Sequence, residues 1–247
     1  MRNFKLFFPV LPVTLASLFL LFSSCGLQDI TAVFEDTQHP SYNTLIQDTG
    51  FDPSLRYFDF NTGSQPTDLN NTAGFLGTAV YYKIYNSLAT LQTESNSVTG
   101  SQTSTSLNGT GFNRLISFGY QPLNLDANKN FYFSTTPARV RLRLYDESYF
   151  PATNSYILPA GIDDVASPVF RSVNTKGFNF YRDPTDTSRT RDPTPLESDA
   201  DVRFTSPPPE PDTWYVNAFA VAVAQDYNTF MSIYSRAAYL GYIQIKQ

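Results

Sequence analysis

Few residues in this 247-residue chain are of a type that does chemistry on its own. It has one cysteine, Cys25, and one histidine, His39. A zinc site needs several His or Cys ligands, and a Ser-His-Asp triad would need His39 packed into a folded domain. The sequence also holds no glycine-rich phosphate loop and no nucleotide fingerprint. We therefore expect no enzymatic activity and no cofactor.

Carboxylates are the second set of candidate groups. Six of them lie close together within residues 183–201, in a segment, residues 182–212, that also contains three consecutive prolines. They are Asp183, Asp186, Asp192, Glu197, Asp199 and Asp201. Closely spaced oxygen ligands suit a hard cation, but the Asp-x-Asp-x-Asp-Gly order of a calcium loop is missing. Any two of the 22 acidic residues could also face one another for sugar hydrolysis. We expect a solvated, extended loop and no metal, and leave cation binding by residues 182–201 open.

The position of Cys25 is more informative than its type. Two basic residues come first, residues 6–22 are largely apolar, and small residues precede the cysteine. This is the layout of an export signal, which is removed from the mature protein. A retained transmembrane helix is the alternative. It would need about 20 apolar residues, and Pro9 and Pro12 would each remove a helical hydrogen bond.

Residues 21–25, Leu-Phe-Ser-Ser-Cys, resemble the lipobox of bacterial lipoproteins in its relaxed, spirochaete-like form, with Leu21 one place further upstream than usual. In that family the cysteine receives a diacylglycerol, the signal is cut just before it, and fatty acid such as palmitate is added to the new amino group. The resemblance implies lipidation of Cys25 and a cut after Ser24. Cleavage by an ordinary signal peptidase is the alternative, and it would leave Cys25 as a free thiol in an oxidising compartment.

Lipid on Cys25 would be a sufficient membrane anchor. Each buried methylene contributes about 0.8 kcal/mol, and stable attachment takes at least two chains. No later stretch is long and apolar enough to span a bilayer. Asp does not follow the cysteine, which in enterobacterial sorting corresponds to the outer membrane. We expect a protein anchored there by lipid, facing the periplasm or the cell surface.

The charge balance limits the other partners. Without residues 1–24 the basic residues fall from 17 to 15 against 22 acidic ones, a formal charge of −7. Nucleic acid attracts clustered Lys and Arg, so we expect no nucleic-acid partner. No disulfide can form within a chain whose single cysteine is modified, so stability must come from a buried core. A chain of this length can build one.

The elements that could position a site are strands. The chain is rich in Thr, Ser and Asn, with 16 Tyr and 21 Phe, and period-2 alternation dominates. Residues 138–145 alternate basic with apolar side chains, which predicts one buried face and a ladder of Arg139, Arg141 and Arg143 in solvent. Residues 77–85 place two sets of side chains on opposite faces: Val80, Tyr82 and Ile84 against Tyr81, Lys83 and Tyr85.

Two further strands are predicted near the C-terminus. Residues 214–224 are rich in Val, Ala and aromatic residues, which indicates a central strand buried on both faces, or alternatively a short buried helix. Residues 238–245 predict a closing strand. Weaker strand candidates are residues 55–60, 114–118, 131–134 and 177–181. No stretch has convincing helical periodicity.

Short strands bounded by Gly, Pro, Asn and Asp predict an all-β fold, an antiparallel β-sandwich with long loops. Residues 77–85 and 214–221 are similar to the inner strands of immunoglobulin-like and fibronectin type III-like domains, and this similarity implies an immunoglobulin-like sandwich. Residues 90–111, rich in Ser, Thr, Gly and Asn, are expected to form a mobile loop.

The predicted organisation has three parts. Residues 1–24 form a signal peptide, residues 25–50 a flexible, disordered tether that contains His39, and residues 51–247 one elaborated sandwich domain. Two small domains in residues 51–247 are the alternative.

Two functions are compatible with these features. The first is a non-catalytic envelope lipoprotein whose sandwich binds another envelope protein or a host molecule, or serves a structural role. The second is a lipid-anchored module that binds or hydrolyses glycans through exposed aromatic rings. Exposed aromatics beside two facing carboxylates would favour the second function, and aromatics that are mostly buried would favour the first. The sequence leaves the ligand, the membrane leaflet and the oligomeric state open.

Overall fold

A computed structural model describes residues 41–42, 46–48, 57–63, 73–102, 109–126, 129–130, 139–144, 155–159, 167–169, 171–173 and 195–246. All of them belong to one of the two units into which the chain divides, Ala32–Gln247. The predicted signal peptide, most of the predicted tether, and the strand candidates at 131–134 and 177–181 lie outside the described residues. Among the described helices none is long and apolar enough to cross a membrane.

The described elements are mostly strands, in agreement with the predicted all-β class. Their bounds are β1 (Ser41–Tyr42), β2 (Ile46–Asp48), β3 (Tyr57–Asn61), β4 (Ala73–Tyr85), α1 (Leu88–Gly100), α2 (Thr110–Ser117), β5 (Gln121–Pro122), β6 (Asn124–Asp126), β7 (Lys129–Asn130), β8 (Arg139–Arg143), β9 (Ser155–Pro159), β10 (Ser167–Val169), β11 (Val202–Arg203), β12 (Thr213–Asp226), β13 (Ser232–Tyr234) and β14 (Ala238–Lys246).

The large sheet is built around β12, in the order β11-β4-β12-β14-β2. Strand β12 pairs antiparallel with both β4 and β14, and nearly all of its residues are buried. This confirms the prediction of a central strand at residues 214–224 and of a closing strand after it. The alternate alanines Ala218 and Ala220 lie on one face of β12, and the larger side chains of Phe219 and Val221 lie on the other.

The second sheet has the order β1-β3-β8-β9-β10, with every pairing antiparallel. One hydrophobic core joins the two sheets. It combines Phe58, Phe60, Val140 and Leu142 from this sheet with Val80, Tyr82, Ile84 and Val216 from the large one. The predicted alternation in residues 138–145 is confirmed on the buried side. On the other side, exposed Arg139 forms a two-bond ion pair with Asp59, at 2.7 and 2.8 Å.

Two helices cover the opposite face of the large sheet, and here the sequence predictions were wrong. Helix α1 occupies part of the expected mobile loop at 90–111, and α2 occupies the strand candidate at 114–118. The side chain of Ser87 caps α1 by accepting a hydrogen bond from the Thr90 amide. Leu91, Val98 and Leu115 from the helices pack on sheet residues that include Tyr81, Tyr85, Tyr215 and Phe219.

Both neighbours of β12 carry a bulge at a Leu-Gly pair. In β4 the register passes from Gly77 to Phe75, so that Leu76 is extra. In β14 it passes from Gly241 to Tyr239, so that Leu240 is extra. Gly77 has φ 131° and Gly241 has φ 97°, values that side chains with a Cβ rarely adopt. Each bulge shifts the alternation of the strand, which explains why Leu76 is partly exposed.

Candidate functional site

The structure tests few of the residues singled out in the sequence. Cys25 and His39 lie outside the described residues, as do Asp183, Asp186 and Asp192. Of the acidic segment, Glu197, Asp199 and Asp201 are described. Within the described part of the chain, no three His, Cys, Asp or Glu residues are grouped as a metal site would require.

Asp199 and Asp201 are ligands of a buried arginine, and the prediction that they lie in a solvated loop was wrong. Arg171 is fully buried. Its Nε donates to Asp201 Oδ2 at 2.8 Å, and its Nη2 donates to Asp201 Oδ1 at 2.6 Å and to Asp199 Oδ2 at 2.8 Å. In this fork geometry, two N–H groups of one guanidinium donate to the two oxygens of one carboxylate. These two carboxylates are therefore occupied by a cation that the protein itself supplies.

Tyr82 completes the Arg171 cluster from strand β4. Its hydroxyl donates to Asp201 Oδ2 at 2.7 Å and accepts a hydrogen bond from the Ser172 amide at 2.7 Å. Burial and the negative charge of Asp201 hold the pKa of Tyr82 well above its usual value, so the phenol keeps its proton. The backbone carbonyl of Asp201 also accepts from the Ile84 amide at 2.9 Å. The cluster thus fastens two loops to β4.

A second buried cluster lies on the opposite face of β4, beneath the helices. Lys83 and Glu94 form an ion pair with Nζ to Oε2 at 3.1 Å, and both side chains are largely buried. The Lys83 ammonium also donates to the Phe118 carbonyl. The Tyr85 hydroxyl donates to the same Glu94 oxygen at 2.7 Å. This arrangement ties β4 to α1 and to the end of α2.

The Lys83 cluster continues to the central strand through Tyr120 and Asn217. The Tyr120 hydroxyl lies 3.1 Å from that of Tyr85. Asn217 Nδ2 donates to it at 2.5 Å and to Ser95 Oγ at 2.7 Å. Asn217 Oδ1 is the buried side-chain atom within the described residues that has no hydrogen-bond partner. The polar side chains therefore form one chain from β4 through α1 to β12.

The electrostatics of the Lys83 cluster favour a structural role. Burial lowers the pKa of Lys83, and the charge of Glu94 opposes that effect. A lysine with a lowered pKa can act as a base or nucleophile when a substrate reaches it. Lys83 is 5% exposed, and its donors point to Glu94 and the Phe118 carbonyl. Arg203 Nε is 3.6 Å from the other Glu94 oxygen and is the solvent-facing edge of the cluster.

The surface offers a different candidate, the turn between β12 and β13. Phe230 is 74% exposed, Met231 68% and Tyr227 50%. We call residues 227–231 the hairpin tip. Large apolar side chains exposed at adjacent positions of a turn are costly in water, and contiguous exposed apolar patches mark interaction sites.

Hydrogen bonds from Asp226 hold the hairpin tip in one conformation. Its Oδ1 accepts from the Asn228 amide at 2.7 Å and from the Thr229 amide at 3.1 Å. Its backbone carbonyl accepts from the Phe230 amide at 2.8 Å, and its amide donates to the Met231 carbonyl at 2.9 Å. The carboxylate is thereby buried against its own turn.

Aromatic packing fixes the base of the same hairpin. The ring of Tyr234 stacks on that of Phe112 from α2, with centroids 3.6 Å apart, and Phe112 meets Tyr81 edge-on. Ser235 exchanges two hydrogen bonds with Ala222 of β12, both at 2.9 Å. The tip is therefore a rigid projection of the large sheet.

Comparison with protein-family models, with curated proteins and with solved structures found no match for this chain. Its function must therefore be inferred from its own residues.

Local sequence offered little information on these sites. Lys83 was assigned only to one face of the strand at 77–85, and Glu94 was assigned to a loop. Arg171 gave no signal, because its partners are about 30 residues away in the sequence. Residues 225–228, Gln-Asp-Tyr-Asn, are turn-prone in composition, which locates the hairpin and gives no signal of the exposed apolar side chains.

Proposed function

We propose that this protein is a bacterial envelope lipoprotein, anchored by lipid on Cys25 to the outer membrane, with a non-catalytic binding domain. A binding role is supported most strongly by the difference between the interior of the domain and the hairpin tip. The ionisable groups of Lys83, Glu94, Arg171 and Asp201 neutralise one another in the interior, while apolar side chains project at the hairpin tip. We further propose that the domain is an elaborated immunoglobulin-like sandwich with a helical layer, because its two sheets share one core.

The buried clusters fit a scaffold better than an active site. A catalytic acid or base must reach its substrate and have a pKa near the working pH. Asp201 is inaccessible, and Glu94 holds Lys83 and Tyr85. In both clusters each buried charge has an oppositely charged partner, which is what a folded core requires.

The alternative function, glycan binding or hydrolysis, has less support. It would place exposed aromatic rings beside two facing carboxylates. At the hairpin tip the nearby carboxylate, Asp226, is buried and bonded to its own turn. Most aromatic side chains in the described residues belong to the two cores.

Mass spectrometry of the mature N-terminus tests the anchor. We expect wild-type protein from the producing bacterium to begin at Cys25 and to carry a diacylglycerol and an acyl group. The Cys25→Ser variant should lack that mass and leave the membrane fraction. Mature wild-type protein with an unmodified Cys25 would contradict the anchor. Protease treatment of intact cells would then distinguish the periplasmic from the surface-facing side.

A further inference from the structure

We propose that the hairpin tip inserts into the interface of a lipid bilayer and acts as a second membrane contact beside the lipid on Cys25. This inference rests on the proposed anchoring. The partner of the exposed apolar surface is the membrane, which the side chains of Phe230, Met231 and Tyr227 contact.

The composition of the hairpin suits the interface of a bilayer. Residues 227–235 include no charged side chain, and the carboxylate that precedes them, that of Asp226, is buried. Charged side chains are the costly ones to bring into lipid, whereas Phe and Met gain from burial there. The ring of Tyr227 lies against Gly74 of β4 with its hydroxyl end, and its exposed half adds to the uncharged surface of the tip.

The shape of the tip favours lipid over a protein groove or a second copy. Phe230 and Met231 stand on the turn between β12 and β13 and are each more than two-thirds exposed. A bilayer accepts a projecting apolar turn without needing a complementary pocket. The tip is also already ordered by Asp226 and by the Phe112–Tyr234 stack. Insertion therefore costs little conformational entropy.

The hairpin tip stands at one end of the large sheet. Strand β13 pairs with residues 223–225 of β12, beyond Ala220, the last residue paired with β14, so the tip lies toward the end where β14 begins. Strand β2 runs parallel to β14, with Ile46 opposite Gly241, so β2 begins toward the same end.

The test uses the chain from residue 25 onward with Cys25→Ser, so that no lipid contributes. Binding to phosphatidylcholine vesicles is measured by flotation, with and without Phe230→Ser/Met231→Ser. The matched control is Ile116→Ser/Leu196→Ser, which removes two other exposed apolar side chains, 48% and 52% exposed. We expect the tip variant to lose vesicle affinity by about tenfold or more. The control should bind as the parent does, and all variants should share one thermal midpoint.

Vesicles that contain phosphatidylglycerol separate this mechanism from electrostatic attraction. The tip has no charge and the chain from residue 25 has a formal charge of −7, so we expect no gain in affinity on anionic vesicles. Binding restricted to anionic vesicles would overturn the proposal, as would equal binding by parent and tip variant or no binding by the parent. The mass of the mature N-terminus does not depend on vesicle binding by the tip. Each proposal can therefore be contradicted without the other.

Discussion

The large sheet buries charged side chains on its two faces, whereas its hairpin tip exposes apolar ones. Within the sheet, Lys83 and Tyr82 extend from adjacent positions of β4 to buried carboxylates on its two faces. At the tip, Phe230 and Met231 are presented to solvent. Every buried charge in these clusters has a partner within the chain, whereas the exposed apolar pair has none in the described residues. The paired buried charges hold the fold together, whereas the exposed apolar side chains are available for contact with another molecule.

The two buried clusters also differ from one another. Around Arg171, the guanidinium, two carboxylates and a phenol satisfy one another with short bonds. Around Lys83, the network ends at Asn217 Oδ1, which has no partner in the described part of the protein. The Arg171 cluster is also the more completely buried. We therefore expect it to be the more sensitive to substitution.

The largest expected effect is that of Asp201→Ala. The substitution removes the two-bond partner of buried Arg171, leaves it paired with Asp199, and removes the acceptor of Tyr82. Removing one partner of a buried ion pair costs about 3–5 kcal/mol. Chemical unfolding would measure the loss. Asp199→Ala is the control, because Arg171 then keeps both bonds to Asp201, and its cost should be clearly smaller. Equal losses for the two variants would show that the charges in this cluster are not paired as described.

A smaller loss is expected for Glu94→Ala. Lys83 then keeps the Phe118 carbonyl, and Tyr85 keeps its contact with Tyr120. We expect the free energy of unfolding to fall by about 2–3 kcal/mol, which reflects an unpaired buried ammonium. The double variant Lys83→Met/Glu94→Ala removes both charges and should recover part of the loss. A double variant less stable than Glu94→Ala would contradict the pairing.

Alkaline pH tests the buried phenols of both clusters together. Burial raises the pKa of Tyr82, Tyr85 and Tyr120 above the ordinary value of 10. Their contribution to stability is complete below pH 10. Above it, the unfolded chain releases protons that the folded chain keeps, so stability falls by about 1.4 kcal/mol per pH unit for each tyrosine.

Lys83 acts in the opposite direction, because its lowered pKa makes stability rise with pH up to 10.5. Three tyrosines outweigh one lysine, so we expect a net loss of stability above pH 10. Phenolate absorbance from the buried tyrosines should appear together with unfolding. Its full appearance near pH 10 with the fold intact would contradict the burial of these groups.

Sequence patterns predicted the strands that form the centre of this domain and failed for the layer above it. The alternation in residues 77–85 and the apolar run at 214–224 appear in the structure as β4 and β12. Helix α1 was missed because its buried face includes Glu94 and Ser95 beside Leu91 and Val98. The apolar period of that helix is therefore interrupted by polar residues whose partners, Lys83 and Asn217, lie in distant strands.

The candidate sites were harder to predict for the same reason. The exposure of Phe230 depends on the turn that Asp226 caps, and the burial of Asp201 depends on Arg171. Neither relation has a local signature in the sequence. The role of Cys25, in contrast, was predicted from a local pattern alone and remains a prediction.

The smallest expected effect on stability is that of Met231→Trp, since substitutions at exposed positions usually change the free energy of unfolding by about 0.5 kcal/mol or less. The same variant tests membrane contact most directly. The chain has one tryptophan, Trp214, which is buried in the core between the sheets and serves as an internal reference. On vesicles with brominated lipid, we expect quenching of the new indole at 231 and none of Trp214 in the wild type. Unchanged emission from the variant on those vesicles would contradict membrane contact by the hairpin tip.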